Sequence, residues 1–426
     1  MSERIPCRTE GCSATILPAT AEKTGGICMP CRQELGRLER EAYIRENRKD
    51  MDIYAGITDP VEILRLMHTP RPYNPLERVL PYKKSREEVY ASLSSGDIER
   101  LKAHAAALIE EDELDTAQEM LTSLICWTEA SIADCLPLLM RRREYYPGIL
   151  YMHASPEIRD ELIRQADIDA ENRNAILLAL AWIGDEKIVK LFREWRDHPP
   201  QWAKELYISP EAYAREAGWE LTADGQRRNL YYSECYPAVA GSPSSEEGDA
   251  AAILTKGEQQ CGWCGSHLTV LFDLDMTHPL LRGYGLPWNR LRLATCISCT
   301  CYGYIYTDVD AEGQVHWSQW NREPDYWVKP DEDIAFGETG HGLRLSASKR
   351  SAFRAAHWAL EAASSQLGGH PSWVQDADYP ACPSCSATMK FVGQIDWEDV
   401  EEYGEGIYYA FICPDCCIAA TNYQQT

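Results

Sequence analysis

Twelve of the seventeen cysteines in this 426-residue chain fall into three quartets, and these constrain its fold more than any other feature. Cys7, Cys12, Cys28 and Cys31 open the chain. Cys261 and Cys264 are answered by Cys296 and Cys299, and Cys382 and Cys385 by Cys413 and Cys416. Paired Cys-x-x-Cys knuckles separated by about one hairpin of chain are the spacing of a four-thiolate zinc site. Three structural zinc ions are therefore expected, with rubredoxin-like iron or a redox dithiol as the alternatives. Four sulfurs leave no open coordination position, so such an ion holds chain together and does not activate water. Cys301 and Cys417 directly follow knuckles and are alternative ligands. The simplest reading makes all five cysteines outside the quartets, Cys126, Cys135, Cys235, Cys301 and Cys417, free thiols.

Composition places the chain among ordinary soluble globular proteins, at 45% hydrophobic and 25% charged residues. The N-terminus has no apolar stretch of the signal-peptide type. The longest apolar run, residues 175–183, is far short of the ~20 residues of a membrane helix. A cytoplasmic location is expected, where knuckles bind metal rather than form disulfides. The formal net charge is −24. Residues 201–426 carry 15 Lys+Arg against 31 Asp+Glu, whereas residues 1–90 carry 15 against 14. Such a field repels phosphate backbones and attracts basic partners.

Along the chain, Gly25 and Gly26 offer the turn before the second knuckle of the first quartet, and a charged helix follows over 33–49. Prolines at 60, 70, 72, 75 and 81 mark an ordered linker with one short helix near 60–68. Amphipathic helices are predicted over 97–111, 114–127, 132–146 and 157–166. Ser155-Pro156-Glu157 gives a start signal of capping serine followed by proline. Glu171–Trp195 reads as a helix pair turning on Gly184-Asp185, which resembles a HEAT-type repeat. Residues 241–249 read as a flexible polar loop, and the pattern then turns to β-strands.

The two late quartets align with each other. CGWCGSHLTVLFDLD runs from Cys261 to Asp275, and CPSCSATMKFVGQID from Cys382 to Asp396. Each is followed by a loop, a returning strand and the second knuckle. Two copies of one zinc-tied β-hairpin are expected, separated by an insertion with a helix at about 346–364. A lone hairpin is marginal in water, and a metal at its open end fixes its register. GGHPSWVQD (368–376), the first knuckle, MKFVGQID (389–396) and YYAFICPDC (408–416) resemble the YwqG-like family of bacterial domains. The resemblance covers about residues 250–426. It implies an α+β domain with an internally repeated sheet, no established catalysis, and an association with immunity proteins that neutralise toxins of interbacterial competition.

The expected fold class is multidomain α+β. It comprises an N-terminal four-cysteine zinc module plus helix (1–50), a Pro-rich linker (51–90), an α-helical HEAT-like domain (91–200), a linker (201–255) and a YwqG-like α+β domain with two zinc ribbons (256–426). No nucleophile–base–orienter set is present, and no His-x-Glu accompanies the Pro-Cys-x-x-Cys runs as a deaminase would need. GETGHG (337–342) lacks the Lys-Ser/Thr of a phosphate loop. His267 is the histidine nearest a knuckle. Asp273, Asp275 and Asp396 favour turn roles over acid–base work. Asp396, Trp397, Glu398, Asp399, Glu401, Glu402 and Tyr403 form an acidic, aromatic stretch suited to a basic protein face. The expected function is non-enzymatic: an immunity protein binding a toxin with a basic surface. The alternative is a zinc-ribbon adaptor or nucleic-acid-associated factor acting through residues 1–50.

Overall fold

The computed structural model describes residues 4–241, 249–329, 342–354, 356 and 364–425. The chain divides into two compact units, residues 1–89 and 90–426.

In the first unit, β1 (Ile5–Pro6) and β2 (Thr15–Ile16) pair antiparallel and hold the first knuckle between them. Helix α1 (Pro18–Thr24) ends in Gly25 and Gly26, both at positive φ (66° and 86°), where a side chain would be strained. That reversal delivers Cys28, which precedes α2 (Met29–Asn47). Pro30 sits in the first turn of α2, where its missing N–H costs nothing. None of the nineteen residues of α2 is buried. The small core is Cys7, Ile16 and Cys28. The proline-rich stretch carries β3 (Lys49–Met51) and β4 (Glu77–Val79), which pair parallel. Between them, α3 (Pro60–His68) starts at Asp59, whose carboxylate accepts the Val61 N–H, and buries Val61, Ile63 and Leu64.

Helix α4 (Arg86–Ala91) is followed by α5 (Ser95–Glu110), entered through a reciprocal Ser94–Asp97 capping box. Next come α6 (Leu114–Thr128) and α7 (Leu136–Arg142). Helix α7 is half its expected length. Pro137 fixes its first turn and Arg143, at φ 60°, ends it. Helix α8 (Pro156–Ile168) starts on the predicted serine cap. Helices α9 (Arg173–Ile183) and α10 (Glu186–Asp197) form the predicted pair. Gly184 lies in the left-handed region between them, and the Asp185 carboxylate accepts the Ile188 N–H. Phe192 stacks between Trp195 and Trp219, which ties the pair to the strand that Trp219 opens. No helix among the described residues is long and apolar enough to cross a membrane.

After a small hairpin of β5 (Trp219–Leu221) and β6 (Arg227–Asn229), the rest of the chain builds an eleven-stranded sheet. Its strands are β7 (Cys235–Ala240), β8 (Ala251–Gln260), β9 (His267–Asp275), β10 (Arg290–Thr295), β11 (Ile305–Val309), β12 (Val315–Trp317), β13 (Leu343–Leu345), β14 (Gln366–Gly368), β15 (Lys390–Asp396), β16 (Ile407–Cys413) and β17 (Ile418–Gln424). They lie in the order β10-β9-β8-β13-β7-β14-β15-β16-β17-β11-β12. Strand β7, from the stretch expected as a linker, thus sits in the middle of the sheet. The expected hairpins are not free-standing ribbons but parts of this sheet. Residues 346–354 form bends and a bridge of Arg350 to Cys235 rather than helix. Residues 357–363 of the predicted helix, the 242–248 loop and most of GETGHG lie outside the described residues.

The sheet curls until its ends meet, as a barrel does. The Arg292 N–H on β10 donates to Gly313 O in the β11–β12 turn (3.2 Å). Trp288 Nε1 donates to Asp310 O (2.9 Å), and Thr421 on β17 donates to Thr295 on β10 (2.8 Å). Curling gives central strands two buried faces, so they read as continuous apolar runs. In β16, Tyr408, Ala410 and Ile412 face one core while Ile407, Tyr409 and Phe411 face the other.

Strands β7 and β14 approach so closely that Gly368 (φ 69°) has room for no side chain. A Cβ there would lie 1.8 Å from Glu234 O and 2.4 Å from Tyr284 Oη. Gly368→Ala is expected to cost about 2–4 kcal/mol from strain and displaced packing. In urea titration the midpoint should fall, and an unchanged midpoint would contradict this packing.

Candidate metal centres and an aromatic cleft

Each predicted quartet is brought together. In all three, one sulfur from each cysteine lies within 4.8 Å of the other three. A tetrahedral ion about 2.3 Å from each sulfur requires sulfurs about 3.8 Å apart. The spacings Cys12–Cys28 (3.8 Å), Cys264–Cys296 (3.5 Å) and Cys385–Cys413 (3.8 Å) match that edge. The donors fit a structural divalent ion of the zinc type, held by Cys7, Cys12, Cys28 and Cys31, by Cys261, Cys264, Cys296 and Cys299, and by Cys382, Cys385, Cys413 and Cys416.

Local folding explains how the knuckles form. In the second quartet, Cys261 N–H donates to Ser266 O and Gly265 N–H to Cys261 O. In the third, Cys382 N–H donates to Ala387 O and Ser386 N–H to Cys382 O. Gly265 and Ser386, each four residues past its first cysteine, share the left-handed conformation that reverses the chain (φ 87° and 62°). Hydrogen-bond donors favour the thiolate at Cys7 and Cys385, whereas burial raises Cys382 and Cys413. The Thr9 hydroxyl, then the Cys28 N–H, lower the Cys7 thiol to about 6, and the Ala387 N–H lowers Cys385.

The duplication extends to register. Asp275 pairs Arg290 and Asp396 pairs Ile407, and each returning strand reaches its knuckle six residues later. Both hairpins bulge at the same place. Leu271 and Val392, each ten residues past its first cysteine, are skipped in the pairing. Asp275 accepts the Thr277 N–H and Asp396 the Glu398 N–H, the same turn in both copies. Asp273 instead accepts Arg290 and Arg292 across the hairpin. His267 Nδ1 lies 3.2 Å from Gly257 O, and the ring is not part of the second quartet. Cys301 and Cys417 are exposed and donate to backbone carbonyls outside the quartets.

The acidic stretch is not one surface. Asp396 is buried, Trp397 packs edge-on against Tyr408, and Asp399 accepts the Ser365 N–H (2.7 Å). Only Glu398, Glu401, Glu402 and Tyr403 are exposed, so four of the seven residues remain available to a partner.

A cleft of about 620 Å³ was not foreseen. It lies between α9, the segment 207–216 and the loop 370–377, and is lined by Tyr146, Trp182, Tyr213, Glu216, Trp373 and Asp376 among others. His370 is fully enclosed beneath it, 5.0 Å from the Trp182 ring. Its Nδ1 faces Pro371 O (2.8 Å) and its Nε2 faces Glu216 O (3.0 Å). Burial holds its pKa down at about 4, so at neutral pH the ring carries one proton and serves only one of these carbonyls.

Fold and clusters together define a two-unit protein with a curled antiparallel sheet and three tetracysteine centres. The chain is 40% identical over 438 aligned positions, covering 100% of both chains, to the uncharacterized protein YpfL of Salmonella typhimurium, and it belongs to that protein's family. No family model matches the sequence. No solved structure matches it either.

Burial raises the Asp396 carboxyl to about 6, with Asp399 and Glu398 adding to the effect. Because the folded value lies above the unfolded one, the folded state binds the proton more readily. Stability contributed at this site therefore falls as pH rises from about 4 to about 6, and is flat above. Asp396→Asn, which keeps the oxygen accepting the Glu398 N–H, should raise stability at pH 7.5 by roughly 1–3 kcal/mol. It should have no such effect at pH 4. Denaturant titrations at the two pH values check this, and equal effects at both would refute it.

Proposed function

We propose that this protein works by binding another protein rather than by catalysis, and that it is an immunity protein covering a toxin of interbacterial competition. In this reading the three tetracysteine centres hold zinc, and the C-terminal half is a YwqG-like domain whose paired hairpins are zinc ribbons. The carrying observation is the charge of residues 201–426, with 15 Lys+Arg against 31 Asp+Glu. Such a field speeds encounter with a basic surface and disfavours acidic competitors. The all-thiolate donor sets add support, since a site with four protein ligands offers a substrate no position. The exposed Glu398, Glu401, Glu402 and Tyr403, at the tip of the β15–β16 hairpin, are suited to reaching a partner.

The second reading, a zinc-ribbon adaptor or nucleic-acid-associated factor, rests on α2, which leaves Leu35, Leu38 and Tyr43 exposed. Arg37 on that helix is tied to Glu34 and Glu41. The helix therefore presents near-balanced charge, which suits a protein contact better than phosphate.

The test is co-expression with the protein encoded by the adjacent upstream gene. That protein should arrest growth alone, growth should return when this chain is present, and the purified complex should weaken at least tenfold between 50 and 500 mM salt, as screening demands. Arrest without rescue, or a harmless neighbour, would overturn the immunity reading.

A further inference from the structure

The aromatic cleft of the second unit combines three features. Rings form its walls: Trp182 from α9, Tyr213 from the 210–215 turn, Tyr146 and Trp373. Two carboxylates share the same space. Glu216 is largely enclosed and uses Oε1 to accept the Ala377 N–H (2.8 Å), while Asp376 sits beside that amide. Burial pushes the Glu216 carboxyl up, Asp376 adds to the effect, and no lysine or arginine contributes against it. The cation that lines the cleft, Arg215, is solvent-exposed, and its field acts on Tyr304, whose hydroxyl donates to Asp378. Finally, Tyr207 and Ile208 stand exposed among the lining residues, apolar surface left in water where a chain could be covered.

A largely enclosed carboxylate that no lysine or arginine pairs with among the described residues, framed by aromatic faces, is the arrangement that favours a cationic head group. We propose that the cleft receives an arginine or lysine side chain of the partner protein, with its charge against Glu216 and Asp376 and its stem along Trp182 and Tyr213. This rests on the reading that the protein binds a basic partner and gives that reading an anchoring point. The wider negative field brings basic surfaces near, and the cleft selects the one projecting side chain that fits.

The experiment titrates the full-length protein with acetyl-Gly-Arg-Gly-amide and with its citrulline counterpart, which keeps the shape and removes the charge. The arginine peptide should bind at least tenfold more tightly. Glu216→Gln keeps an oxygen for the Ala377 N–H, and paired with Asp376→Asn it should cut that preference at least fivefold. Trp182→Leu should weaken arginine binding with the near-ultraviolet dichroism of the sheet retained. Glu111→Gln with Glu113→Gln, exposed in the α5–α6 turn and outside the cleft lining, should leave the preference intact. Equal binding of the two peptides, or a preference that survives Glu216→Gln/Asp376→Asn, would overturn the assignment. A toxin complex whose affinity ignores these variants would also overturn the cleft assignment while leaving the immunity reading standing.

Discussion

The convergence of three sulfur quartets, each spaced to close on a metal ion, is the constraint on which this architecture depends. Each late quartet sits where two strands leave a hairpin, and each hairpin contributes to the curled sheet. Without an ion, four thiols would lie within 4.8 Å of one another in each quartet, with only the knuckle hydrogen bonds and the last strand pairs to hold the strand ends there. With one, the first knuckle, the bulge and the returning strand are fixed in register. The first quartet does more with less. A core of Cys7, Ile16 and Cys28 is too small to support a fold by apolar burial, so metal binding would supply most of the folding free energy of that segment.

The identical bulge and turn positions show how closely the two hairpins follow one plan. They have been put to different uses within it. In the first copy Asp273, itself largely covered, bridges the exposed Arg290 and the half-buried Arg292. In the second, the equivalent position is Gln394, wholly buried, whose amide accepts the Ser372 N–H and donates to Ser364 O. That buried amide anchors the 370–377 loop, and the loop in turn forms one wall of the cleft. The duplicated scaffold thus gave rise to one outward, charged hairpin and one inward hairpin that supports a cavity.

What could be read in the sequence depends on how local each signal is. Ligand spacing is local, so all three quartets were legible. So were the Ser155 cap, the Gly184 turn and the α3 helix, whose signals lie within a few residues. The sheet order was not legible. Strands β13 and β14 have three residues each, too short to show a period, and their partners on β7 lie more than a hundred positions away in sequence. The acidic stretch misled for a related reason. Composition does not reveal that Asp396 turns inward to cap its neighbour while Glu401 and Glu402 stay in water. The cleft draws on residues from 146 to 377, and no single stretch announces it.

The most direct measurement is metal content together with the consequence of removing the metal. Elemental analysis of the purified full-length chain should return close to three divalent ions per chain, one for each quartet. After chelation, hydrogen-exchange protection should be lost first at the knuckle ends of β9, β10, β15 and β16, and the thermal transition should move down. Fewer than about two ions per chain, or a metal-free protein that melts and exchanges as before, would contradict the account.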